Sequence, residues 1–157
     1  MQLSTYAQEA LLDLTRVLES EGAQAALAFL NARAPHRLTS INLIQSDHMV
    51  CQLLHDKAGK LAPTAIAPVP MLHSFCQFVV QDGWFSTHDS STDVRLDQHK
   101  YQGVVLSYCG VPLTDASGEL FGTLCHMDMQ AQLLPEEEFD FFQRAARILP
   151  KYLPRSR

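Results

Sequence analysis

Past Pro35 the spacing of apolar residues changes from helical to strand-like, and that change divides the chain. Before it, Leu3, Ala7, Ala10, Leu14 and Val17 recur at alternating steps of four and three, which predicts a helix over residues 5–18. Thr5 and Gln8 stand at capping-box spacing. A shorter helix over 23–32 turns Ala26, Phe29 and Leu30 inward, and Pro35 prevents its extension. Beyond it, residues 38–44 and 49–55 alternate and are separated by the polar Gln45-Ser-Asp-His48, so they read as a hairpin.

Pro63, Pro68 and Pro70 make 61–70 an extended loop. Leu72, Phe75, Cys76 and Val79 then predict a helix over 71–81 closed by Gly83. A short strand at 84–88 leads into a polar, irregular stretch, 89–105, with a helix-start signal at Ser90-x-x-Asp93. Two strands follow, running from Ser107 to Asp128 and joined by an Asp115-Ala-Ser-Gly118 turn. Pro135 and three glutamates open a last helix with Phe139, Phe142, Ala146 and Leu149 inward, and Pro150 ends it. The order predicts an α+β fold, an antiparallel sheet flanked by helices.

A chain of 157 residues with 46% hydrophobic and 18% charged residues is expected to form one folded domain, residues 1–157. A net charge of −5 gives no electrostatic case for nucleic acid. The basic cluster Arg144, Arg147, Lys151, Arg155 and Arg157 reads as a helix end and tail. No apolar run is long enough to span a membrane, and the N-terminus lacks a signal-peptide pattern. Cys51, Cys76, Cys109 and Cys125 form no CxxC and fall in apolar segments, so reduced, buried thiols in the cytoplasm are expected.

Three blocks carry a likeness. They are Ser74-Phe-Cys76 with Gln81-Asp-Gly83, then His88-Asp89 through Asp93-Val-Arg95, then Tyr108-x-Gly-Val-Pro-Leu113 running into Gly118 and Gly122-Thr-Leu-Cys125-His-Met-Asp128. In order and spacing they resemble a stand-alone bacterial-type GAF domain, over about residues 10–149. The resemblance implies N- and C-terminal helices on one face of the sheet and a pocket roofed by loops and short helices on the other. Strand parity puts Cys109, Val111, Leu113 and Leu124 towards the helices. Tyr108, Thr123, Cys125 and Met127 then floor the pocket, with Ser74, Phe75, Trp84, His88, Asp89 and Arg95 as candidates above.

The resemblance implies a sensor of an unidentified small molecule that signals through its terminal helices to a dimer mate or a separate signalling protein. Neither nucleic acid nor membrane is an expected partner, no cofactor is assigned, and the chain is expected not to be an enzyme. Adjacent strand residues face opposite ways, so Cys125 and His126 cannot act on one substrate atom. Asp93 and Arg95 fit a loop-bracing pair better than a ligand contact. The seven histidines show no zinc spacing, and the cyclic-nucleotide signature of the family is absent.

The enzymatic alternative resembles the GAF-fold reductase of free methionine sulfoxide. Cys76 lies near one of that family's cysteines, but 96–106 has no cysteine where the attacking thiol belongs. A pure dimerisation module is the third class.

Overall fold

The computed structural model describes residues 5–153; Leu3, the first position of the sequence's N-terminal apolar seam, lies outside them. Six strands form one antiparallel sheet in the order β3-β2-β1-β6-β5-β4. They are β1 (Leu38–Gln45), β2 (His48–Asp56), β3 (Val69–Pro70), β4 (Phe85–Thr87), β5 (Ser107–Thr114) and β6 (Leu120–Asp128). The two hairpins meet at the centre, where β1 pairs with β6 from Leu38↔Met127 to Leu43↔Gly122.

Two devices set that seam. Between Ile41 and Asn42 the register with β2 slips, leaving Gln52 as an extra residue that bends and twists the strand. Gly122 lets the backbones close in, since a Cβ there would lie 2.3 Å from the Asn42 carbonyl oxygen. Pro112 is accommodated because β4 pairs only with Tyr108–Gly110 of β5. It therefore lies past the end of β4, on an open rim where a missing N–H costs the ladder nothing.

The helices are α1 (Thr5–Glu21), α2 (Ala23–Ala32), α3 (Cys76–Asp82) and α4 (Glu136–Ile148). One face of the sheet carries α2 and α4, and α1 packs over both. The core there joins Ala10, Leu14, Leu18, Leu27, Leu30, Phe141, Phe142, Ala145 and Leu149 to Cys109, Val111, Leu113 and Leu124 of the strands. Phe141 belongs to this core although the sequence reading left it out, and Phe139 is only partly buried.

An ion pair ties the three helices together. Arg33 donates to both carboxylate oxygens of Glu138, at 3.0 and 3.2 Å, and Tyr6 donates to the same group. The guanidinium also lies 4.6 Å from the Tyr6 ring centre and 4.8 Å from that of Phe141.

Among the described residues, α3 is the α-helix on the opposite face. The expected helix over 71–81 is split: residues 71–73 form a 3-10 turn, and α3 starts only at Cys76. The Ser74 hydroxyl accepts the Cys76 amide at 3.0 Å, an alternative to the helical bond that resets the chain. Leu72, assigned inward by its spacing, is consequently 76% exposed. Among the described residues no helix is long and apolar enough to cross a membrane.

Candidate functional site

Parity places the chemistry. On β1, Ser40 and Asn42 alternate with Ile41 and face away from α2 and α4; on β6, Thr123, Cys125 and Met127 do the same. On β5 the Tyr108 ring lies across Gly110, where a Cβ would come within 2.4 Å of its hydroxyl oxygen. The bare glycine thus gives the phenol room to fold over the sheet.

Above this floor is a cavity of about 420 Å³, within the size range of small-molecule pockets. Met49 and Cys51 of β2 and residues 66–70 wall one side; Ser74 and Phe75 roof it, while the Cys76 sulfur of α3 reaches the floor; Tyr101 and Val105 close the other side. Exposed Lys100 and His73 stand at its mouth. Lys100 is the one cation among the lining residues, and no aspartate or glutamate is among them.

The floor is a connected polar cluster. The Cys76 sulfur is 3.2 Å from the Tyr108 hydroxyl and 3.2 Å from the Thr123 hydroxyl. The Cys125 sulfur is 3.1 Å from the Ser40 hydroxyl, and Asn42 donates to it at 3.4 Å. The neighbouring Cys125 thiol is the largest influence lowering the Cys76 pKa from its ordinary value. Hydroxyls of Ser74, Thr123 and Tyr108 add to it, against the opposing effect of burial. Cys125 is raised, first by Cys76 and then by burial. Burial also raises Tyr108, so its hydroxyl keeps its proton as a donor. Cys51 is pushed up to about 11 by burial. The cluster therefore favours one thiolate, on Cys76, ringed by donors.

Of the residues proposed from sequence, Ser74, Phe75, Tyr108 and Met127 line the cavity. Thr123 and Cys125 lie just beneath it, Thr123 bonded to Cys76 and Cys125 to Ser40 and Asn42. Four others do not line it. Trp84 points to the helical face, its ring 5.6 Å from that of Phe139, because its neighbour Phe85 takes the pocket side. His88 is exposed. Asp89 caps a 3-10 turn through the Ser91 amide. Arg95 donates to both Asp93 oxygens, at 2.9 and 2.6 Å, and to the Ser86 carbonyl at 2.8 Å, bracing the loop on β4. The Asp-to-Arg block of the sequence is a brace for the roof.

Sequence reasoning missed Ser40, Asn42, Met49, Cys51 and Lys100. The first two were readable from the alternation of β1. Lys100 sits in a segment without periodicity and had no such signal. Cys125 and His126 do part company across β6: the imidazole stacks on Phe142 on the helical side. Among the described residues no group of three or more His, Cys, Asp or Glu side chains is arranged to hold a metal ion.

No protein-family model matches the sequence, and no curated protein is similar to it. Solved structures are. The GAF domain of an Acinetobacter phosphoenolpyruvate-protein phosphotransferase superposes with a TM-score of 0.75 at 14% identity, covering 96% of this chain and 94% of that one. The chain has the GAF fold. Free methionine-R-sulfoxide reductase from Neisseria meningitidis, solved with its substrate, matches this GAF-fold chain with a TM-score of 0.72 at 20% identity, over 97% of this chain and 92% of the other. The type II enzyme of that name from Thermoplasma acidophilum matches at 0.62 and 10% identity, over 95% and 94%. These reductases overturn the expectation that the chain is not an enzyme: a GAF fold of this size and extent is found in enzymes as well as in sensor domains.

Proposed function

We propose that the cavity binds a small, largely apolar molecule and that occupancy is relayed to the helical layer. The observation that carries this reading is the cavity itself: a small-molecule volume walled by apolar side chains over a few convergent polar atoms. The relay has a physical candidate in β6, where Cys125 meets the pocket cluster and His126 meets α4. A ligand that prefers one packing of β6 against α4 shifts the population of that packing. The recipient is a second copy of the chain or a separate signalling protein, in the reducing cytoplasm expected for four free thiols.

Native mass spectrometry of freshly purified protein tests the reading. A co-purified small molecule, lost when Met127→Trp fills the cavity, is expected. Empty protein that also fails to take up any of a panel of apolar acids and alcohols, the cavity unfilled throughout, rejects it.

A second reading, thiol-dependent reduction of free methionine sulfoxide, is supported by Cys76 at the pocket floor and by the fold shared with the reductases. It predicts turnover by the wild type that Cys76→Ser abolishes. Absence of turnover by the wild type rejects that substrate. Nothing acidic lines the cavity to receive the substrate's amine.

A further inference from the structure

The two thiols at the floor have a relationship that ligand binding alone does not use. We infer that Cys76 and Cys125 form a dithiol that reduces a hydroperoxide entering the cavity. The inference rests on the reading that the cavity admits a small apolar molecule. Cys76 faces the cavity, while Cys125 is completely buried in the same polar cluster, where the Asn42 amide reaches both its sulfur and the Thr123 hydroxyl that contacts the Cys76 sulfur. One sulfur is therefore reachable by an oxidant, and the second is reachable only by the first. Attack and resolution are separated by position.

The cluster supplies what each step needs. The Cys76 thiolate attacks the terminal oxygen of the hydroperoxide and the O–O bond breaks. The departing alkoxide takes a proton from the donors around the site, of which the Tyr108 hydroxyl, 3.2 Å from the sulfur, is the nearest named, and leaves as an alcohol. Cys76 is then a sulfenic acid. The Cys125 sulfur, its proton passed through the cluster to the Tyr108 oxygen that the first step deprotonated, attacks the Cys76 sulfur. The S–O bond breaks, and the hydroxide takes up the proton that Cys76 released on ionising and leaves as water. One hydroperoxide and two thiols give one alcohol, one water and one disulfide.

The lining selects the substrate class. Its walls are apolar, and its single charge is the Lys100 ammonium at the mouth. An apolar hydroperoxide, neutral or carrying a carboxylate, fits that lining; a zwitterion would leave its amine without a counter-charge. A disulfide between Cys76 and Cys125 also ties the first turn of α3 to β6, the strand that carries His126 against α4.

The test treats fully reduced wild-type protein with one equivalent of cumene hydroperoxide or of hydrogen peroxide, followed by thiol tagging and peptide mapping. Two thiols are expected to disappear together, with Cys76 and Cys125 recovered as a linked pair. Cumene hydroperoxide is expected to react about tenfold faster, from its apolar binding in the pocket. Cys125→Ser is expected to stop at a Cys76 sulfenic acid trapped by a dione reagent.

All four thiols surviving, a Cys76–Cys51 link, or oxidation to the sulfinic acid without a disulfide each overturns the inference. Cumyl alcohol, which cannot oxidise a thiol, separates the two readings in a calorimetric titration of reduced protein. Alcohol bound with the thiols inert to hydroperoxide leaves the cavity reading standing and sinks the dithiol. The linked pair forming without any alcohol binding, at equal rates for both oxidants, sustains the dithiol and removes the cavity reading.

Discussion

His126 lies flat on Phe142, with ring centres 4.1 Å apart and planes 21° from parallel. The stack joins the central strand to α4. His126 also stacks with His36, centres 5.6 Å apart, and both imidazoles are buried.

Burial holds both imidazoles neutral, with His36 lowered to about 4 and His126 well below its ordinary value. Lys57 opposes their charging and, for His36, Asp128 favours it. Because the folded values lie below the unfolded one, the unfolded chain binds more protons as pH falls. Stability is expected to be full above pH 6.5 and to decline below it, the His36 part levelling off below about 4. That part is on the order of 3 kcal/mol. Urea denaturation between about pH 7.5 and about pH 4, spanning the ordinary histidine range, measures it. His36→Gln should flatten the profile.

Gly122→Ala forces a methyl group against the Asn42 carbonyl and should open the central β1–β6 seam. A loss of about 1–3 kcal/mol is expected in urea denaturation, from overpacking against backbone that cannot turn aside. Since Asn42 also donates to Cys125, the variant should change the thiol reactivity of the floor as well.

Glu138→Ala leaves Arg33 without its carboxylate and removes the Tyr6 acceptor. Both charged side chains are mostly shielded from water. The expected cost is about 1–3 kcal/mol, between that of an exposed and a fully buried pair. A double-mutant cycle with Arg33→Met measures the coupling.

Alkylation by a small neutral reagent should reach Cys76 at a lower pH than Cys51, whose thiol stays protonated to about 11. Tyr108→Phe removes one donor and should raise the pKa of Cys76, slowing its alkylation at pH 7 several-fold. Peptide-resolved mass spectrometry over a pH series checks both. Equal pH profiles for the two cysteines would refute the assignment of the thiolate.

The fold was legible because period and punctuation agreed. Residues 23–32 showed a helical period before Pro35 and form α2 (Ala23–Ala32) with the same bounds. Gly118, placed at the end of the Asp115-Ala-Ser-Gly118 turn, has a φ of 86° there. The roof was less legible. The spacing of Leu72, Phe75, Cys76 and Val79 fits a helix, yet the Ser74 side chain interrupts it and Leu72 turns to solvent. Trp84 was put in the pocket by its neighbourhood in sequence, while Phe85, the first residue of β4, takes the pocket side and Trp84 meets Phe139. The thiol pair was illegible for a different reason: 49 positions separate Cys76 from Cys125 (125 minus 76), and only the docking of α3 on β6 brings them together.

The two prolines at the rims of the sheet have a consequence for assembly. Pro70 sits in the two-residue β3, and Pro112 in β5 just beyond the reach of β4. Each denies an incoming strand a hydrogen-bond donor at the place where the ladder stands open. Strand addition is thereby disfavoured at these two points of the open rims, one guard against aggregation of the sheet.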